Sequence, residues 1–141
     1  YQINNKKINF YSLVISDTYG ANDKRQKLIS VIKKNIINKK ETKIISKNLH
    51  INLLNVNDIV SGVFILLKSK IKPGKYSMIN KIPFKAIDLI QQIQKRIKSQ
   101  VKIKWLSSKK IKEKIYNYKS LPGWKPRNTN IDDLIKFILR D

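Results

Sequence analysis

The chain reads as α/β, one unit over residues 1–141, on three observations. Short β-branched and aromatic runs alternate with segments whose apolar residues recur at helical spacing, the signature of strands covered by helices. An apolar content of 41% is enough to bury a core. A length of 141 residues corresponds to about one domain, and no repeat or low-complexity linker divides it.

Taken in order, Ile8 to Ile15 (INFYSLVI) ends in a continuous apolar run and predicts a strand buried on both faces. Such a strand calls for sheet neighbours and covering helices, so the chain by itself is expected to expose apolar surface and aggregate. A polar corner, Ser16 to Arg25, follows. Leu28, Val31, Ile32 and Ile36 then predict a helix to about Asn38. Lys43 to Ser46 is a short strand candidate and Ile51 to Leu54 another. Asn55 is placed to cap a helix, with Asp58 in its first turn and Val56, Ile59, Val60, Val63, Phe64 and Leu67 on one broad face. Pro73-Gly74 turns the chain into a strand over Lys75 to Ile79. Ala86, Leu89, Ile90, Ile93 and Ile97 form the next helical stripe, and Val101 to Leu106 alternates as a half-exposed strand. A short polar helix is expected around Lys109 to Tyr116. Next comes a rigid turn, Leu121-Pro122-Gly123-Trp124-Lys125-Pro126, with Trp124 as its core anchor. Asn130 caps a last helix carrying Ile131, Leu134, Ile135 and Ile138, with Asp133 as a capping-box partner.

Composition excludes several chemistries. With no cysteine there is no disulfide framework or thiolate metal site, and the lone His50 is expected to be structural or at the surface. The four glycines, Gly20, Gly62, Gly74 and Gly123, spell neither dinucleotide nor P-loop fingerprint. No Ser-His-Asp set is in sight, Asp132 and Asp133 diverge on their helix, and no tyrosine has a catalytic spacing. The residues supply no complete active site. The longest apolar run, Ile59 to Leu67, is far short of the roughly 20 residues that span a bilayer, and no secretory leader is visible. The first residue is Tyr1 rather than Met, which suggests processing or a piece of something longer.

The formal net charge is +22. That charge attracts phosphate, so a basic nucleic-acid-binding module, with Tyr and Trp stacking between lysines, is one reading. Against it, the charge is nearly all Lys placed in the gaps of apolar patterns, as on a solvated face. The only arginines are Arg25, Arg96, Arg127 and Arg140. The corner SDTYGANDKRQKLI, Ser16 to Ile29, leaves two readings open. Free N–H groups at the helix start, beside Arg25 and Lys27, suit a phosphate or diphosphate at the carboxyl end of a strand. Alternatively Tyr19-Gly20 turns the chain, Asp23 caps the helix, and the two cations face water.

Four landmarks carry a resemblance. Thr18-Tyr19-Gly20-Ala21-Asn22-Asp23 with Lys27-Leu28-Ile29 resembles the TYGPND…KLI segment of extended short-chain dehydrogenases/reductases acting on nucleotide sugars, the NAD-dependent epimerase/dehydratase family. Ile51 to Val60 (INLLNVNDIV) looks like its hVDDVV helix start, Gly74 to Ile79 its G-x-Y-N-I-G strand, and Leu121 to Pro126 its LGWxP turn. The resemblance covers nearly the whole chain, in family order, with a deoxysugar flavour similar to CDP-abequose or paratose synthases.

The resemblance implies a C-terminal part of a Rossmann-type enzyme: the last sheet strand plus a small mixed α/β substrate-binding region. The cofactor-binding half, with its Gly-rich loop and Tyr-xxx-Lys couple, would lie ahead of Tyr1. It implies NAD or NADP as cofactor, held mainly by that half, and a nucleotide-diphosphate sugar as ligand. It implies no specific nucleic acid, no membrane, a homodimeric parent and a cytoplasmic setting. Its substrate-binding residues map to Asp17 and Thr18 near the sugar, to Lys27 and Leu28 at the diphosphate, and to Lys43 and Ile45 along the base; Arg25 is the candidate to supply some of the positive charge that a missing family Arg leaves out. No catalytic, cofactor-binding or metal residue maps to this chain. There are departures: Ile51 or Asn52 stands where many members have a diphosphate-binding Arg, and Ser77 where Asn is common. A chain without its cofactor half is also compatible with an inactive remnant.

Overall fold

The computed structural model describes residues 9–21, 23–112 and 118–140. The first strand is shorter and less covered than its sequence predicts. β1 spans Tyr11–Ile15 and is only half-buried, with Ile15 exposed. The reason is topological: β1 lies beside one strand alone among the described residues, the parallel β6 (Gly74–Met78), in register from Tyr11–Gly74 to Ile15–Met78.

The corner after β1 holds a strand that its polar sequence hides. β2 (Asp17–Tyr19) pairs in parallel with β5 (Leu53–Asn55). Helix α1 (Leu28–Ile37) follows and buries Ile29 and Ile32. β3 (Thr42–Ile44) turns Thr42 and Ile44 inward and pairs in parallel with β8 (Ile103–Trp105). β4 (Leu49–Ile51) is the centre of a three-stranded sheet between antiparallel β7 (Phe84–Lys85) and parallel β9 (Ile111–Lys112). β9 replaces the start of the helix expected around Lys109. Pairing of Ile111 and Lys112 with Leu49 and His50 outweighs local helix preference there. The remainder of that expected helix, 113–116, lies outside the described residues.

Asn55 caps α2 (Val56–Lys68) as expected, its side chain accepting from Asn57 N at 2.9 Å. α3 (Ala86–Ile97) buries Ala86, Leu89, Ile90 and Ile93. α4 (Ile131–Leu139) buries Leu134, Ile135 and Ile138, and Asn130 caps it by accepting from Asp133 N at 2.8 Å. One core gathers α1, α3, α4 and the small strands around Ile32, Ile44, Leu89, Ile93 and Ile135; each such side chain contributes roughly 1.5–3 kcal/mol on burial. A second core joins Leu54, Tyr76, Met78, Leu121 and Trp124, with Tyr11, Leu13, Ile59, Ile65 and Leu66 packed against it.

Two contacts set how α2 sits. A Cβ on Gly20 would come within 2.5 Å of Val56 Cγ1, so the corner can approach the start of α2 only because Gly20 has no side chain. Gly20→Ala is expected to cost about 1–3 kcal/mol, read from urea unfolding. Val56→Ala should recover much of that loss in a double-mutant cycle, because the clashing methyl is gone. The buried Asp58 makes the other contact. Its carboxylate accepts from Arg127 N at 3.0 Å and Asn128 N at 3.1 Å, while its carbonyl accepts from Trp124 Nε1 at 2.8 Å. Trp124 is thereby the core anchor the turn calls for.

Candidate functional site

The corner between β2 and α1 is stitched by two carboxylates and two cations. Lys27 Nζ pairs with Asp17 Oδ1, which also accepts from Thr18 N at 2.9 Å. Arg25 grips Asp23 with Nε and Nη2, both at 2.7 Å, and Nη2 reaches Thr18 Oγ1 at 3.3 Å. The Ser30 hydroxyl donates back to the carbonyls of Arg25 and Lys27, at 2.7 and 2.8 Å.

Asp23 does not cap α1. Its Oδ1 accepts from Arg25 N at 3.1 Å, two residues on, and α1 starts three residues later. The N-cap is Lys27, no side chain caps the helix, and no acid stands in its first turn. The first N–H groups of a helix lack intrahelical acceptors and carry the positive end of its dipole, so this helix start favours an anion.

Hydrogen bonds from the Arg25 side chain and backbone hold the Asp23 carboxyl at about 2, below the ordinary 3.8. Because the folded value is depressed, this pair contributes fully above pH 3.8 and is lost as pH falls towards 2. A side-chain NMR titration is expected to place the Asp23 midpoint near 2, and Arg25→Ala to return it towards 3.8.

A cavity of about 590 Å³ opens along α1 beside this corner, within the size range of small-ligand sites. Thr18 and Lys27 line it, as do Lys33, Lys34, Phe137 and Arg140. Lys33 Nζ donates to the Arg140 carbonyl and sits 5.7 Å from the Phe137 ring centre. Among the described residues, Lys33, Lys34 and Arg140 have no carboxylate within ion-pair distance. The corner's own charges therefore cancel in pairs, and the surplus positive charge comes from α1 and the end of α4. In the cavity wall, Tyr19 packs on Phe137 at 5.1 Å, and burial pushes its phenol above the ordinary range.

The residues singled out from the sequence divide accordingly. Thr18 and Lys27 line the cavity, and Asp17 is tied to Lys27. Arg25 is exposed and turned to Asp23 at the rim. Leu28 packs against the core. Lys43 and Ile45 are exposed on and just after β3, which pairs with β8, and they do not line the cavity. Lys33, Lys34 and Arg140 escaped the sequence reading. Helical spacing puts Lys27, Ser30 and Lys34 on one side of α1, which was a usable signal; nothing local brings Arg140 there.

No family model and no curated protein matches the chain. Solved structures do match its fold. RMD from Pseudomonas aeruginosa, complexed with NADPH, superposes with a TM-score of 0.71 at 17% identity, over 92% of this chain and 46% of its own. dTDP-glucose 4,6-dehydratase from Bacillus anthracis, in complex with NAD, gives 0.72 at 17%, over 91% and 43%. UDP-N-acetylglucosamine 4-epimerase from Methanobrevibacter ruminantium, in complex with UDP-N-acetylmuramic acid, gives 0.74 at 15%, over 93% and 45%. The chain thus has the α/β fold, with parallel strand pairs, of part of a Rossmann-type short-chain dehydrogenase/reductase, and spans less than half the length of these structures.

Proposed function

We propose that this chain is the nucleotide-sugar-binding part of an NAD(P)-dependent sugar-nucleotide epimerase, dehydratase or reductase. The observation that carries the reading is convergence. An uncapped helix start and the cations Lys33, Lys34 and Arg140 face one cavity, in the fold of enzymes solved with NAD(P) or a UDP-sugar. The diphosphate would lie at the start of α1, with Lys27 and Lys33 beside it, and Asp17 and Thr18 would meet the sugar. The nicotinamide cofactor supplies the hydride chemistry when bound. This chain has no Gly-rich loop or Tyr-xxx-Lys couple to hold it, so that task falls to the other half of the fold. The sequence landmarks favour a deoxysugar reductase of the CDP-abequose or paratose-synthase kind, working in the cytoplasm on surface-polysaccharide precursors.

Calorimetric titration of the purified protein tests the reading. A CDP- or UDP-sugar is expected to bind saturably, and the matching free sugar not at all. Tight binding of a single-stranded oligonucleotide with a steep salt dependence, and none of the nucleotide sugar, would instead make the surplus charge a nucleic-acid surface.

A further inference from the structure

A second cavity, of about 440 Å³, opens beyond the carboxyl end of β6, where the parallel pair β1–β6 finishes at Ile15 and Met78. Open α/β sheets take ligands at that end of their strands. Two turns wall the cavity, and each is pinned by its own hydrogen bonds. The buried Asn80 holds the first. Its side-chain amide donates to the Thr129 carbonyl at 3.0 Å, its Oδ1 accepts from Ile82 N at 3.0 Å, and Asn52 Nδ2 donates to its carbonyl. The second is the turn around Trp124, whose indole N–H donates to the Asp58 carbonyl. The cavity is therefore pre-formed, and filling it costs little ordering.

Its lining has two parts. Ile79, Ile82, Trp124 and Pro126 form an apolar wall, in which Ile82 is 62% exposed. Lys81 and Lys125 supply charge. Both are exposed, neither is within ion-pair distance of a carboxylate among the described residues, and no described acid lines the cavity. The helix that starts just after Thr129 adds no pull on an anion. α4 is capped by Asn130 and carries Asp132 and Asp133 in its first turn, whereas the start of α1 is bare. Two lysines without helix N–H groups match one anionic group better than a diphosphate.

We infer that this cavity is a second ligand site, apart from the corner at α1, for a small aromatic molecule bearing a single carboxylate or phosphate-monoester group. The ring lies against Ile82 and the edge of Trp124, and the anion lies between Lys81 and Lys125. The inference stands independently of the function proposed above.

Amide and indole chemical-shift mapping of the purified protein tests it, with naphthoate and phenyl phosphate as probes for the two anions. At least one is expected to shift Asn80, Lys81, Ile82 and the Trp124 indole N–H saturably, and the tighter of the two names the anion. Naphthylmethanol, the ring without the charge, and inorganic phosphate, the charge without the ring, should each bind at least roughly tenfold more weakly. A saturating nucleoside diphosphate should leave the probe's midpoint unchanged. Lys81→Gln combined with Lys125→Gln should raise that midpoint at least roughly tenfold while the urea midpoint and naphthylmethanol binding stay as they were. Several results would overturn the inference: no saturable shift from either anion, equal binding of naphthylmethanol, or inorganic phosphate binding as tightly as the ring compounds. Displacement by the nucleoside diphosphate, or shifts that gather on the exposed Phe64 and Leu67 of α2, would do the same.

Discussion

Asp58→Ala is expected to destabilise the fold by about 3–5 kcal/mol, a large fraction of the ~5–15 kcal/mol that holds a typical domain together. The side chain is buried, and its carboxylate accepts from Arg127 N, Asn128 N and Asn128 Nδ2 at 3.0, 3.1 and 3.3 Å. Removing it takes a charged acceptor from three part-buried donors, hydrogen bonds of about 1.5–3 kcal/mol each, and releases the segment after Pro126 from the start of α2. Asp58→Asn keeps one acceptor oxygen and should cost roughly half as much. Urea midpoints at unchanged m-value measure both, and an alanine variant within about 1 kcal/mol of the parent would deny the clamp. The same contact explains why the NVNDIV and LPGWKP landmarks occur together: the aspartate of the first holds the backbone just beyond the second.

Lys27→Ala is expected to weaken nucleotide-sugar binding by roughly 10- to 100-fold, the value of one charge-assisted contact to a diphosphate. Two effects combine. A cation at the start of α1 is lost, and the Asp17 carboxylate, now unpaired, faces the incoming anion. Asp17→Asn separates them. With Lys27 freed, the nucleoside diphosphate alone should bind as tightly as before or more so, while the complete nucleotide sugar should lose affinity if Asp17 meets the sugar. Titration calorimetry with both ligands reads the difference, and an unchanged affinity for Lys27→Ala removes Lys27 from the site.

Much of the fold was legible because its signals are local. Asn55 and Asn130 cap the helices they precede, and Ala86, Leu89, Ile90 and Ile93 are buried at the spacing the sequence displays. Strand β2 was hidden because Asp17 and Thr18 are a loop by composition; pairing with Leu53 and Leu54 makes them a strand. The role of Asp58 was half-visible: it favours a helix start by charge, yet its partners lie about seventy positions away. Within the site, Thr18 and Lys27 could be found from the corner motif. Lys33 and Lys34 looked like any solvated lysine, and Arg140 enters only because α4 ends against α1. Of the broad stripe read on α2, Ile59 packs against a core while Val56, Val60, Val63, Phe64 and Leu67 are exposed, since spacing does not tell which side of a two-faced helix meets the core.

The central claim is that the start of α1 and its cavity hold a diphosphate. Amide chemical-shift mapping during titration with a nucleoside diphosphate tests it most directly. The account predicts saturable shifts concentrated at Thr18, Gly20, Leu28, Ile29, Ser30 and Lys33, with a midpoint roughly 10- to 100-fold higher in Lys27→Ala. Shifts that never saturate and scatter over lysines throughout the chain, or that gather instead at the cavity between Asn80 and Thr129, would contradict it.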